Sequence, residues 1–349
     1  MKYFVLIALL VSCLGCSEED VVDPHLLKTI DIPKGSGAGL RICVSPNGSR
    51  FASGIGVHGH EMNIWNCEGF LQRTFDKRED NLLTLDIRPE LPITGIVFST
   101  DWRYFVSFQS QSRRKQALSI WEIPHDSRRK YLPDLPDHGV ELVTFDTKGE
   151  RLAYVDYRGP VSKTGLRTTQ VTILSGGSFR ESVTLENAGE ERFINLMAFS
   201  GDRIVACGSP GLIMWDLNTG KIIFTDDEKR SDSGRRDTLM FSLDGKQFII
   251  ATSGHSNPDV EIRNSNDGSL VKTFPGYGAE AISKDWKWFA TLDGVGNENI
   301  QIHDMENGEI EFTLRGHTGQ ISDIDFSANG SRLVSVASDR TFKIWDLTK

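Results

Sequence analysis

The hydrophobic pattern of this chain is one short motif written seven times. An apolar residue followed by Ser or Asp recurs at Val44-Ser45, Phe98-Ser99, Phe145-Asp146, Phe199-Ser200, Phe241-Ser242, Ile282-Ser283 and Phe326-Ser327. The intervals are 54, 47, 54, 42, 41 and 44 residues, a period that marks a repeat architecture. Most copies run into turn chemistry: Pro46-Asn47-Gly48, Thr147-Lys148-Gly149, Leu243-Asp244-Gly245 and Ala328-Asn329-Gly330. Asn or Asp before Gly favours a tight hairpin because these residues tolerate positive φ. Two copies carry Trp where Gly belongs, at Asp101-Trp102 and Asp285-Trp286. Those two positions predict a turn of another form.

After each turn comes a short apolar run, such as Leu152-Ala153-Tyr154-Val155, Phe248-Ile249-Ile250-Ala251 or Leu333-Val334-Ser335-Val336-Ala337. Such runs predict a strand buried on both faces. A third segment follows, as in Asn63-Ile64-Trp65, Ile213-Met214-Trp215 and Phe342-Lys343-Ile344-Trp345, and then a more polar fourth, as in Leu270-Val271-Lys272-Thr273-Phe274. No ten-residue window has a convincing helical period. Four strands in each of seven units predict an all-β chain, a seven-bladed β-propeller of four-stranded antiparallel blades.

The chain reaches Lys349 just after the third strand of the seventh unit, while Leu26-Leu27-Lys28-Thr29-Ile30 reads like a fourth strand with no innermost partner. This N-terminal outer strand is expected to complete the last blade and close the ring, since an open ring would leave sheet edges bare. The propeller is therefore assigned to residues 26–349.

The last unit reads Gly316-His317, then Ser335, Asp339 and Trp345-Asp346. It resembles the GH…WD unit of the WD-repeat family. That resemblance implies a structural hydrogen-bonded tetrad in which His317 sits between Asp339 and Ser335, with Ser335 meeting the indole of Trp345. Trp recurs at the third-strand position in Trp65, Trp121 and Trp215, but gives way to Leu174, Arg263 and His303. The degenerate blades are expected to hold mainly by apolar packing.

The N-terminus has its own pattern. Met1-Lys2 precedes an apolar run from Tyr3 to Val11, then small residues and two cysteines. Nine apolar residues are too few for a bilayer core that needs about 20, so the run reads as a signal-peptide hydrophobic region over residues 1–15. It resembles a bacterial lipoprotein signal, and two cysteines compete for the lipid. Leu10-Val11-Ser12-Cys13 has the expected order but leaves a very short signal. Cys13-Leu14-Gly15-Cys16 has Gly before the Cys but Cys in place of Leu. Cys16 is preferred, because Ser17-Glu18-Glu19-Asp20 then begins an acidic tether over residues 16–25; the alternative is a plain secretory signal. The resemblance implies an extracytoplasmic protein, lipid-anchored to a bacterial membrane, periplasmic or at the cell surface.

Composition narrows the chemistry. The chain has 38% apolar residues and 33 glycines in 349, with 48 acidic against 39 basic residues and a net charge of −9. This is an ordinary globular make-up, and its negative balance argues against a nucleic-acid partner held through phosphates. Five cysteines are too few for a disulfide scaffold. Cys43, Cys67 and Cys207 read as small buried hydrophobes, although a Cys43–Cys67 disulfide within one unit is conceivable.

No zinc-protease helix, nucleophile elbow, phosphate loop or EF-hand loop is present, and no cofactor or metal is expected. Gly35-Ser36-Gly37-Ala38-Gly39 leads into a strand rather than a helix, so it reads as a connection. His58-Gly59-His60-Glu61 lacks a third ligand nearby and reads as a structural loop. The remaining candidates are insertions between second and third strands: Arg113 and Arg114 in unit two, Tyr157 and Arg158 in unit three. In WD-repeat propellers these loops gather at the channel mouth, and Tyr and Arg are the types that anchor protein interfaces. The expected role is a monomeric, membrane-tethered, non-enzymatic scaffold for an unknown protein partner. The alternatives are a propeller enzyme or solute binder, lactonase-like or quinoprotein-like, with a site at the central channel, and a purely structural envelope component.

Overall fold

The computed structural model describes residues 23–32, 41–54, 61–76, 95–108, 119–123, 127–131, 140–156, 170–175, 179, 181–185, 193–209, 211–226, 238–251, 259–275, 278–293 and 296–349. These form seven four-stranded antiparallel sheets arranged as the blades of a propeller. Blade one contains Arg41–Val44, Arg50–Gly54, Glu61–Asn66 and Leu71–Asp76, called a to d from the channel outward. Blades two to six repeat the order over 95–131, 140–184, 193–226, 238–275 and 281–314. Blade seven is made of Ile321–Phe326, Arg332–Ala337 and Thr341–Asp346, with Leu26–Asp31 as its d strand.

The core consists of seven apolar clusters among the described residues, one between each pair of adjacent blades. The b strands explain this directly. Successive side chains point to opposite faces, so Val205 packs toward blade five while Ala206 packs toward blade three. Ile249 and Ile250 divide in the same way between blades six and four. A continuous apolar run is what a strand sandwiched between two neighbouring sheets requires.

In five blades the Ser that follows the a-strand apolar residue clasps the a–b turn. Ser45, Ser99, Ser242, Ser283 and Ser327 each accept the backbone N–H five residues on, at 2.8–3.1 Å. Four of them donate to the turn's own Asn or Asp: Asn47, Asp101, Asp244 and Asn329, at 2.6–3.0 Å. Asp146 replaces Ser in blade three and accepts from the N–H groups of Glu150 and Arg151.

The two Trp-bearing turns do not take another form, contrary to the sequence expectation. Trp102 and Trp286 both have φ of 59°, in the same left-handed region as Gly48, Gly149, Gly201, Gly245 and Gly330. A left-handed residue with a side chain costs about 1–2 kcal/mol. Burying an aromatic ring offsets that with something on the order of 4 kcal/mol. Trp102 is 4% exposed, packs on Ala52 and Ile64 of blade one, and stacks on Phe98 at 5.0 Å with the Arg50 guanidinium 5.6 Å from its ring centre. The ring acts as a wedge between blades.

Closure by the N-terminal strand is as expected. Leu26–Asp31 pairs antiparallel with Thr341–Asp346, setting Leu26 opposite Trp345 and Asp31 opposite Thr341. Ile30 is buried with Phe342, Ile344 and Phe51. The contacts begin earlier than Leu26. Asp23 accepts the Arg315 N–H at 2.7 Å, and the carbonyl of His25 accepts the Asp346 N–H at 2.8 Å.

Candidate functional site

Blade seven and its seams hold the polar constellation that the sequence singled out. His317 lies between the d strand of blade six and the a strand of blade seven, Ser335 is on strand b, Asp339 is in the b–c turn and Trp345 is on strand c. The four come together as one directed chain. The Trp345 indole N–H donates to the Ser335 hydroxyl oxygen at 2.9 Å, and Ser335 Oγ lies 2.8 Å from His317 Nε2. On the ring's other side, His317 Nδ1 lies 2.8 Å from an Asp339 carboxylate oxygen.

A neutral imidazole with its proton on Nδ1 satisfies every link, because Ser335 then accepts from Trp345 and donates to Nε2. The electrostatics agree with that assignment. Burial pushes the His317 pKa below its ordinary value despite the nearby carboxylate. Burial alone would raise Asp339, but hydrogen bonds from His317, Thr318 and Thr341 outweigh it and hold the carboxyl below its usual range.

The same design recurs where the sequence looked degenerate. His303 occupies the Trp position of blade six, 2.9 Å from Thr291 Oγ1, donates from Nδ1 to the Gly308 carbonyl at 3.1 Å, and stacks on Phe289 at 4.6 Å. Its pKa is also lowered, first by burial. In blade one the Trp65 indole donates to Ser53 at 2.9 Å. Arg263, at the Trp position of blade five, donates to Glu261 at 2.8 Å and to the Gly268 carbonyl, and pairs with Asp226 at 3.1 Å. These blades therefore do not rely on apolar packing alone. A search restricted to Trp could not find them; Ser, Thr or a carboxylate facing the same position would have been the signal.

A second group was not visible in the sequence. Asp323 and Asp325 lie on the a strand of blade seven and reach across the closure seam. They accept the free backbone N–H groups of Ile42 and Val44 on the a strand of blade one, at 2.9 and 2.6 Å. Burial raises the Asp325 pKa from 3.8 to about 6, opposed by Lys284. Cys43 sits beside it, its thiol pushed up to about 12 by burial and then by the Asp325 charge.

Cys43, Cys67 and Cys207 are all free. Cys43 packs toward blade two and Cys67 toward blade seven, so the two face away from each other and form no disulfide. Among the described residues no three His, Cys, Asp or Glu side chains gather as a metal-sized group. The interface candidates Arg113, Arg114, Tyr157 and Arg158 lie outside the described residues, as do Cys13, Cys16, His58 and the Gly35–Gly39 segment.

Comparison with known proteins fits this geometry. The family described as WD domain, G-beta repeat matches residues 308–346, which is the tetrad-bearing seventh unit. The chain is 27% identical over 157 residues to eukaryotic translation initiation factor 3 subunit I of Culex quinquefasciatus, covering 41% of this chain and 47% of that protein. It is 33% identical over 113 residues to an uncharacterized WD repeat-containing protein of Synechocystis, covering 31% of each. The chain thus spans less than half the length of these curated relatives. The β-propeller domain of Cps50 (Swd1) from Myceliophteria thermophila superposes with a TM-score of 0.66 over 92% of this chain and all of that one, at 15% identity, which speaks to fold alone. Repeat and fold together support a WD-repeat β-propeller.

Proposed function

We propose that this WD-repeat propeller is a protein-interaction scaffold, lipid-anchored through Cys16, or alternatively Cys13, on the extracytoplasmic side of a bacterial membrane. The observation that carries the scaffold reading is where the buried polar chemistry goes. His317, Ser335, Asp339, Trp345, His303 and Arg263 direct their hydrogen bonds into the blades and turns. Among the described residues they tie the ring together, and Asp323 and Asp325 on the innermost strand likewise accept the Ile42 and Val44 N–H groups across the closure seam. A rigid ring with loops at one face is a platform on which an interface can be preorganised.

Function does not follow from fold, so the support from relatives is limited to kind: one is named as a subunit of a larger factor. The net charge of −9 favours a protein partner over a nucleic acid. Arg113, Arg114, Tyr157 and Arg158 are the proposed contact residues, on loops whose residue types suit an acidic protein surface.

Two measurements test the reading. Crosslinking and pull-down from intact envelopes should enrich one protein with the unaltered chain and lose it with Tyr157→Ala and Arg158→Ala together; unchanged recovery would remove these residues from the interface. Mass spectrometry of the N-terminal peptide should find acyl chains on Cys16 or Cys13. An unmodified thiol at both positions would leave the scaffold without its anchor.

A further inference from the structure

The topology fixes which face of the ring receives the N-terminal segment. Strand c of blade seven runs from the b–c turn toward the c–d edge, and Leu26–Asp31 pairs antiparallel to it. The segment therefore enters at Asp23 on the face that carries the a–b and c–d turns, opposite the b–c and d–a loops. Only Ser17 to Val22 lie between Cys16 and Asp23. At about 3.4 Å per extended residue, seven steps reach roughly 24 Å at most, less than the breadth of a ring of this size. An anchor at Cys16 keeps the turn face near the bilayer.

That same face carries a run of exposed apolar side chains. In blades one, five and six the d strand opens with an apolar residue paired to the Trp position: Leu71 opposite Trp65, Leu270 opposite Arg263 and Ile310 opposite His303. At this rim Phe70 is 66% exposed, Leu270 54%, Val271 52%, and Leu71 and Ile310 50% each. Leu27, next to the Leu26 that faces Trp345, corresponds to Val271 and is 39% exposed, and with Phe70 it lines an open groove between blades seven and one. These residues belong to blades five, six, seven and one. They form an arc of apolar positions over four successive blades that includes the blade to which the N-terminal segment is fixed, with exposed Lys28, Glu68, Glu309 and Glu311 interspersed among them.

We propose that this arc is a bilayer-contact surface: Phe70, Leu71, Leu270, Val271 and Ile310 seat on the membrane interface and hold the b–c and d–a loops away from it. The proposal rests on the anchoring reading above. Its physical basis is that one acyl attachment point fixes position but not orientation, whereas apolar side chains at the headgroup boundary add a second contact. The arc lies where a short tether would bring it down.

The test separates the two claims by supplying an artificial anchor. The full chain, carrying Cys13→Ser and Cys16→Ser and a histidine stretch inserted after position 16, is held on phosphatidylcholine vesicles through a nickel-chelating lipid. An environment-sensitive maleimide is placed at Leu270→Cys, Ile310→Cys or, on the opposite face, Ser338→Cys, with the labelling of the parent chain subtracted. Circular dichroism checks that each variant is folded. Quenching by headgroup spin-labelled lipid should be about threefold stronger at positions 270 and 310 than at 338, since interfacial side chains sit within the headgroup layer. Equal quenching at all three, or stronger quenching at 338, overturns the proposal. So does light scattering that shows a dimer which Leu270→Glu splits, because the arc would then cover itself. Acylation of Cys16 is read separately, so a failed orientation and a failed anchor give different results.

Discussion

His25 stacks on Phe312 with ring centroids 4.6 Å apart and planes 19° from parallel. His25 belongs to the segment that completes blade seven, and Phe312 to the d strand of blade six. Its Nδ1 also donates to the Asp346 carbonyl at 2.9 Å. The closing segment is thus tied to two blades, by ladder bonds to one and by ring stacking to the other.

Removing that segment should therefore undo more than one sheet edge. Deletion of 23–32 strips the partner from Thr341–Asp346, uncovers Phe342 and Ile344, and leaves the Arg315 N–H without its acceptor. We expect loss of a cooperative thermal transition and rapid proteolysis. A normal melt would show that the latch is dispensable. His25→Ala alone removes one stacked pair and one hydrogen bond, and should cost about 1–2 kcal/mol.

The tetrad predicts an ordering of substitutions. Ser335→Ala strands both the Trp345 indole N–H and His317 Nε2 inside the blade. Leaving buried polar groups unpaired costs about 1–3 kcal/mol each, so denaturant unfolding should show a loss of roughly 2–4 kcal/mol. His317→Phe or Trp345→Phe should cost less per link removed. A double-mutant cycle between Ser335 and Trp345 should give a coupling energy clearly different from zero; additivity would mean the chain is not acting as a unit.

The wedge in the blade-two turn makes a counterintuitive prediction. Trp102→Gly relieves a left-handed backbone but empties the space between blades one and two. Large-to-small changes in a core cost about 3–5 kcal/mol, which exceeds the backbone relief of about 1–2 kcal/mol. The variant should be less stable by chemical denaturation. A gain in stability would show that the ring contributes less than its burial implies.

Asp325 gives a pH signature. Its carboxyl is raised to about 6 in the folded chain against 3.8 ordinarily. Between those values the folded state binds more protons than the unfolded one, so this group's contribution falls as pH rises from about 4 to about 6. Asp325→Asn keeps an oxygen acceptor for the Val44 N–H and removes the titration. The Tm difference between the Asp325→Asn variant and the unaltered chain should grow in favour of the variant from pH 4 to pH 7. A constant difference would place the carboxyl at its ordinary pKa. His317 works in the opposite direction: its lowered pKa means stability present above about 6.5 and lost as pH falls.

Much of the fold was legible in the chain because it is repetitive. Period, turn chemistry and doubly buried b strands specify four strands per unit, and Leu26–Ile30 could be recognised as a fourth strand without an inner partner. The constellation at His317 was legible because one unit keeps all four residue types. Elsewhere the same role passes to His303 with Thr291 or to Arg263 with Asp226, pairs whose members are joined by register rather than by a common motif. The Asp323 and Asp325 contacts escaped for a similar reason, since these carboxylates meet backbone groups 281 residues away. The Trp turns were misjudged because a local φ preference was weighed without the tertiary burial that overrides it.

Strand Leu26–Asp31 meets a partner far along the chain; the Lys343 ammonium, for example, donates to Thr29 across 314 residues. No nascent fragment that stops short of Asp346 can finish the circle. Until Thr341–Asp346 has been made, Ile30 lacks the Phe342 and Ile344 side chains that cover it. Such long-range pairing slows folding, and it makes closure of the ring a later event than formation of the six blades whose four strands follow one another in the chain.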